Sequence, residues 1–187
     1  MKTLLVACAV VTATSLTSLS AGAQDAAAEQ PVTWGIMAGG ENVTGAFKST
    51  FKPGIVLGAE VQFPLPSRRL ALRADLMYHL IGEYDYVCIE QGCTDQGTHS
   101  HLVSGSFSMV ARLNDPATRW SPYVVAGAAA YLSGNADEIG AFRPNHAGFQ
   151  GGVGFEVRPR KSTIFVEMRY MGVPPGGVVP IVVGMRF

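Results

Sequence analysis

Six charged residues fall inside segments of alternating character: Glu60, Arg73, Asp75, Glu156, Glu167 and Arg169. "LALRADLMYHL" from Leu70 holds Arg73 and Asp75 two residues apart, and "TIFVEMRYMG" from Thr163 holds Glu167 and Arg169 at the same spacing. In a strand, residues i and i+2 share a face, so each pair is poised to act together. A turn centred between Pro66 and Ser67 would place Glu60 opposite Arg73. Four carboxylates and two guanidiniums need partners if they are removed from water, with Arg112 and Arg186 near strand ends to balance them. Such a set can form a plug of ion pairs or line a gated polar path.

Other candidate chemistry is thinner. His99 and His101 fall on one side of a strand, but a metal site needs three or four ligands, so no metal is expected. His146 and Ser162 show no spacing that pairs a nucleophile with a base. No catalytic residue and no cofactor are predicted. Cys88 and Cys93 form an even pair once Cys8 is removed with the export signal described next, and in an exported chain such a pair reads as a disulfide.

The elements that must position these residues begin with "MKTLLVACAVVTATSLTSLSAGAQDA". A charged start, an apolar core and Ala21-Gly22-Ala23 make a cleavable secretory signal over residues 1–23. "LVAC" resembles a lipoprotein box, but too few apolar residues precede Cys8. Residues 24–31 read as a short leader and 32–187 as one barrel domain. The formal charge is zero, which excludes a nucleic-acid footprint. No run of 18 apolar residues follows the signal, hence no membrane-spanning helix.

Eight period-2 segments follow, starting near Val32, Gly54, Leu70, His101, Ser121, Ala147, Ser162 and Val178. Each has the length of a tilted membrane strand. "PLPSRR", "NDPATR" and "RPRK" are short connections with Pro and Arg. "NVTGAFKSTFK", "GEYDYVCIEQGCTDQGTHS" and "SGNADEIGAFRPNH" are long and polar. Short turns alternating with long loops point to an up-and-down antiparallel barrel.

Alternation alone leaves open which face meets water. The sparse, charge-balanced polar faces suit a packed lumen better than a solvated surface. Aromatic residues near strand ends read as two interfacial belts. Trp34, Phe63, Tyr123, Phe155 and Phe187 fall toward the short turns, and Tyr78, Tyr131 and Tyr170 toward the long loops. Pro180 is a departure, because it sits inside the last segment and cannot donate to a ladder, so a bulge or weak pairing near the outer rim is needed there.

"WSPYVVAGAAAYL", "GFQGGVGFEVRP" and a last strand ending "VVGMRF" resemble the small outer-membrane β-barrel proteins of Gram-negative bacteria, the OmpA-barrel and opacity-protein type. The resemblance spans the chain after the signal, and its motifs are diffuse, so it speaks to fold and not to one activity. It implies eight strands in a monomeric transmembrane barrel in the outer membrane, with loops exposed at the surface. It also implies contact with outer-membrane lipid and lipopolysaccharide, and Phe187 as the signal read by the barrel-assembly machinery. The expected role is non-enzymatic, structural or surface-interactive. The alternatives are a narrow pore and a secreted soluble barrel that binds an apolar ligand, as lipocalins do.

Overall fold

A computed structural model describes residues 31–49, 51–83, 86–89, 92–95, 99–115, 118–133, 146–159, 162–173 and 176–187. The signal and leader segments lie outside these residues, apart from Pro31.

Eight strands close on themselves: β1 (Thr33–Gly45), β2 (Phe51–Pro64), β3 (Leu70–Glu83), β6 (His99–Arg112), β7 (Trp120–Ser133), β8 (His146–Val157), β9 (Thr163–Val173) and β10 (Gly176–Arg186). Two short strands, β4 (Tyr86–Ile89) and β5 (Gly92–Asp95), form a separate hairpin between β3 and β6. Around the wall the order is β1-β10-β9-β8-β7-β6-β3-β2, every pairing is antiparallel, and β1 meets both β2 and β10. This is the eight-stranded up-and-down barrel that the alternation predicts.

The pleat sorts each strand into two populations. Along β3, Ala71, Arg73, Asp75, Met77 and His79 are buried, while Leu76 and Tyr78 point out. Along β9, Phe165, Glu167, Arg169 and Met171 are buried, while Ile164, Val166, Met168 and Tyr170 are exposed. Arg73 and Glu156 are 0% exposed, whereas Leu76 and Phe149 are 60% and 61% exposed. The arrangement is inside out for a water-soluble protein, with charge enclosed and aliphatic side chains outward.

Two sequence expectations need correction, and a third is met in one of its two forms. Tyr123 and Tyr131 are not belt residues. They are buried at 1% and 2% exposure, because β7 alternates in the opposite phase to the one assumed. Its outward positions are the small residues Ala126, Ala128 and Ala130 along with Val124. Apolarity was therefore a poor guide to direction on this strand.

The β2–β3 register also differs. Glu60 lies opposite Asp75, and Arg73 lies opposite Gln62. The turn is displaced toward Arg68, with Leu65 N–H donating to the Leu70 carbonyl and Leu70 N–H to that of Ser67.

Pro180 is accommodated by weakened pairing, without a bulge. It pairs with Glu41 on β1, while on the β9 side the partners pass from Val178–Met171 to Ile181–Met168 in unchanged register. Without an N–H the ladder lapses over two residues and resumes. The register shift of the barrel lies instead between Lys52 and Gly54, around Pro53.

A charged cross-brace inside the barrel

β3 and β9 stand on opposite walls, four places apart in a ring of eight. Each contributes one guanidinium and one carboxylate at i, i+2, and the four groups meet across the diameter. Arg73 Nη1 and Nη2 donate to the two Glu167 oxygens at 2.7 and 3.1 Å. Arg169 Nη1 and Nη2 donate to the two Asp75 oxygens at 3.0 and 3.3 Å. Each acid also touches the cation of its own strand, Arg73 Nε lying 3.2 Å from Asp75 and Arg169 Nε donating to Glu167. Tyr123 O–H donates to Glu167 at 2.6 Å and Ser106 O–H to Asp75 at 2.9 Å. Paired forks of this kind are the strong, geometrically specific form of charge pairing.

A second tier lies toward the short turns. Arg186 on β10 bridges Glu60, through its Nε, and Glu156, 2.7 Å from Nη1. Arg112 Nε donates to Glu156 at 2.8 Å and Arg112 Nη2 to Gln62 at 3.2 Å. Arg158 adds a further contact to Glu156 from the rim. Arg73 Nη1 lies 3.5 Å from Glu60, linking the tiers. Four carboxylates thus face Arg73, Arg112, Arg169 and Arg186, so the charges of the two tiers cancel before the rim Arg158 is counted. Arg186 also lies 4.1 Å over the Phe165 ring, a desolvated cation–π contact.

Glycine makes the room. A Cβ on Gly152 would meet the Met168 carbonyl oxygen of β9 as well as Arg169 Cγ, 3.0 Å away, and one on Gly154 would overlap the Tyr123 ring. The inward side of β8 is thus left empty at two places where long side chains from neighbouring strands cross.

Toward the long loops the interior is mostly apolar, with Val43, Phe51, Val56, Ile81, Leu102, Met171 and Val178 packed together. One polar relay interrupts it. His79 Nδ1 lies 2.6 Å from Glu41 Oε2, and His79 Nε2 lies 2.8 Å from Ser104 Oγ, all three residues being buried. Sequence reasoning missed it because the three residues lie on β1, β3 and β6, and only the register joins them. The inward phase of His79 is legible, but its partners are not. The relay resembles a nucleophile–base–carboxylate set in connectivity. Among the described residues, however, the backbone beside Ser104 offers no oxyanion site. Ser104 pairs with Met77 on one side and Tyr131 on the other, so nearby amides are spent on the ladder and none remains for a developing oxyanion.

The other predicted positions are plain. Trp34, Phe63, Phe155 and Phe187 are outward at the short-turn rim, and Tyr78 and Tyr170 are outward toward the loops. Trp34 packs tilted against Phe187 at 4.7 Å, and Trp120, which the sequence reading did not include, stacks on Phe155 at 5.8 Å. His101 faces out and contacts the Tyr78 hydroxyl. Among the described residues no group of three or more His, Cys, Asp or Glu could hold a metal ion. The backbones of Cys88 and Cys93 lie directly opposite one another in the β4–β5 hairpin, while their side chains lie outside the described set.

No protein-family model matches the chain, and no curated protein does. Among solved structures, the fold is similar to the N-terminal β-barrel domain of Pseudomonas aeruginosa OprF (TM-score 0.51, 18% identity, covering 83% of this chain and 97% of that one). It is also similar to Neisserial surface protein A (TM-score 0.53, 13% identity, covering 83% of this chain and 94% of that one). At these identities the likeness is one of fold.

Proposed function

We propose that this chain, whose fold is that of the small outer-membrane barrels, is a non-enzymatic integral protein of the bacterial outer membrane. Its barrel serves as a rigid, plugged anchor, and its long loops carry a structural or surface-interaction role. One observation supports this above the rest: charge is enclosed and paired, while Ile36, Leu57, Leu76, Phe107, Val153 and Val166 face outward. A lipocalin-like soluble barrel requires the reverse. Aromatic side chains at both ends of the outer wall fit the two interfaces of a bilayer. In this reading lipopolysaccharide surrounds the loop end, and the barrel-assembly machinery inserts the chain as a monomer.

The diametric Arg73–Glu167 and Arg169–Asp75 pairs support a plug over a pore. An eight-stranded barrel has room for its own side chains and little else, and here four of them meet from opposite walls.

Two measurements test the reading. The protein should partition with outer membranes on fractionation and fold into liposomes but not in plain buffer. A folded, water-soluble monomer would favour the soluble barrel. In planar bilayers the wild type should show no steady conductance. Stable, large single-channel steps would put the narrow pore first.

A further inference from the structure

The short-turn rim is rich in arginine. Arg68 and Arg69 lie in the β2–β3 turn and Arg119 in the β6–β7 turn, all three exposed. No carboxylate among the described residues pairs with them. Their neighbours differ: Arg112 and Arg158 are held to Glu156. The backbones interlock, Arg112 N–H donating to the Arg69 carbonyl and Arg158 N–H to that of Arg119, both at 2.8 Å. Inward-turned and outward-turned arginines therefore alternate along one edge. The β8–β9 turn adds Arg160 and Lys161, and the only acid in the sequence of these three turns is Asp115.

Position along the barrel axis matters as much as charge. Trp120 follows Arg119 directly and stacks on Phe155, while Phe63 ends the outward row of β2 before the Arg68–Arg69 turn. Aromatic belts lie at headgroup depth. The free guanidiniums thus fall just beyond the belt, at the level of lipid phosphates. A planar guanidinium holds a phosphate through two parallel hydrogen bonds. The opposite end of the sequence pattern is acidic, with Glu83, Asp85, Glu90, Asp95, Asp137 and Glu138 in the long connections.

We propose that Arg68, Arg69 and Arg119 form a collar that binds the phosphate headgroups of anionic phospholipid in the leaflet next to the short turns. This rests on the membrane reading above and deepens it by naming the lipid class and the rim that selects it. The collar holds the barrel's depth and tilt from the turn end, leaving the acidic loops unattached to that leaflet.

The test uses the full mature chain folded in phosphatidylcholine vesicles containing spin-labelled phosphatidylglycerol or phosphatidylcholine as probe. The ratio of motion-restricted to free probe measures selectivity. A surface guanidinium favours anionic lipid by about fivefold, so the wild type should restrict phosphatidylglycerol several-fold more than phosphatidylcholine, and less at high salt. R68Q/R69Q/R119Q should bring the ratio near parity while its folded, heat-modifiable band on electrophoresis is unchanged, since none of the three side chains enters the lumen.

Parity in the wild type, or selectivity retained in the triple variant, overturns the collar. Displacement of the lipid by millimolar glycerophosphate would instead make it a site for free anions. Sedimentation with peptidoglycan that is lost in the triple variant, beside lipid parity, would give the rim to a wall polymer. Failure to insert into phosphatidylcholine at all would sink the membrane reading. Insertion without selectivity sinks only the collar.

Discussion

The cross-brace makes a quantitative prediction through a double-mutant cycle on Arg73 and Glu167. Both are fully buried and share two hydrogen bonds at 2.7 and 3.1 Å. Removing one member of a buried pair costs about 3–5 kcal/mol, because the other is left enclosed. Here the remaining network absorbs part of that cost. After Arg73→Met, Glu167 keeps Arg169 and Tyr123, Asp75 keeps Arg169 and Ser106, and Glu60 keeps Arg186. The loss should therefore sit near the low end, about 3 kcal/mol. Glu167→Met strips Arg73 of its bidentate partner and takes away the acceptor of the Tyr123 O–H, which adds about 1–3 kcal/mol of desolvation. The double variant has neither buried orphan from the pair itself, so it should cost about as much as one single change. That is a coupling of about 3 kcal/mol or more, the size of the other single loss. Urea titration in liposomes, followed by the fluorescence of Trp34 and Trp120 at the turn rim, reads each value. The parallel cycle on Glu60 and Arg73 should show a smaller coupling, since that contact is 3.5 Å and Glu60 holds Arg186 besides. Additive losses at Arg73 and Glu167, or a stronger coupling to Glu60, would refute the assignment of the cross-brace.

Three further outcomes are expected. Val153→Arg or Val166→Arg, both on the outward face, should destabilise the folded protein in bilayers by about 2–4 kcal/mol; no loss in the same urea titration would mean that these faces do not meet lipid. Gly154→Val should displace the Tyr123 ring and cost about 1–3 kcal/mol, as overpacking does, visible as a lower melting temperature in detergent. Cys88 and Cys93 are opposed in an antiparallel hairpin, and directly opposed residues sit about 4.5–5.5 Å apart at Cα, within the range a disulfide spans. Mass spectrometry of protein from the native envelope should find them joined, and C88S/C93S should loosen the hairpin without lowering barrel stability; two free thiols would contradict the pairing.

How legible was this in the sequence? The barrel was, because alternation on β3, β8 and β9 is unambiguous and the connections differ in length. The inward phase of Arg73, Asp75, Glu167 and Arg169 followed from the same pattern. Their partners did not follow. Pairing across a diameter depends on the closure of the whole ring, which no local signal encodes. The hairpin register slipped by one residue at its turn centre, and that was enough to replace Arg73 with Asp75 as the residue facing Glu60. On β7 the rule that apolar means outward failed. Tyr123 carries its hydroxyl to Glu167, so a bulky amphipathic ring belongs inside, and alanines suffice outside.

The division of the interior into two tiers bears on how such a barrel can serve its loops. The turn-side half is fixed by charge pairs whose geometry is directional and whose disruption is costly. The loop-side half is an aliphatic cluster with one Glu41–His79–Ser104 relay. Aliphatic packing tolerates substitution as long as volume is conserved, whereas a half-satisfied polar network is worse than none. Changes next to the loops can therefore be accommodated locally, while the frame that closes the ring is held elsewhere. The relay fits this division. It ties β1 to β3 and β6 near the level where Pro180 interrupts the β9–β10 pairing. Glu41, the residue opposite Pro180, is the one whose carboxylate reaches His79. The strand flanking the weakened ladder is thus braced from inside the lumen, two wall positions away.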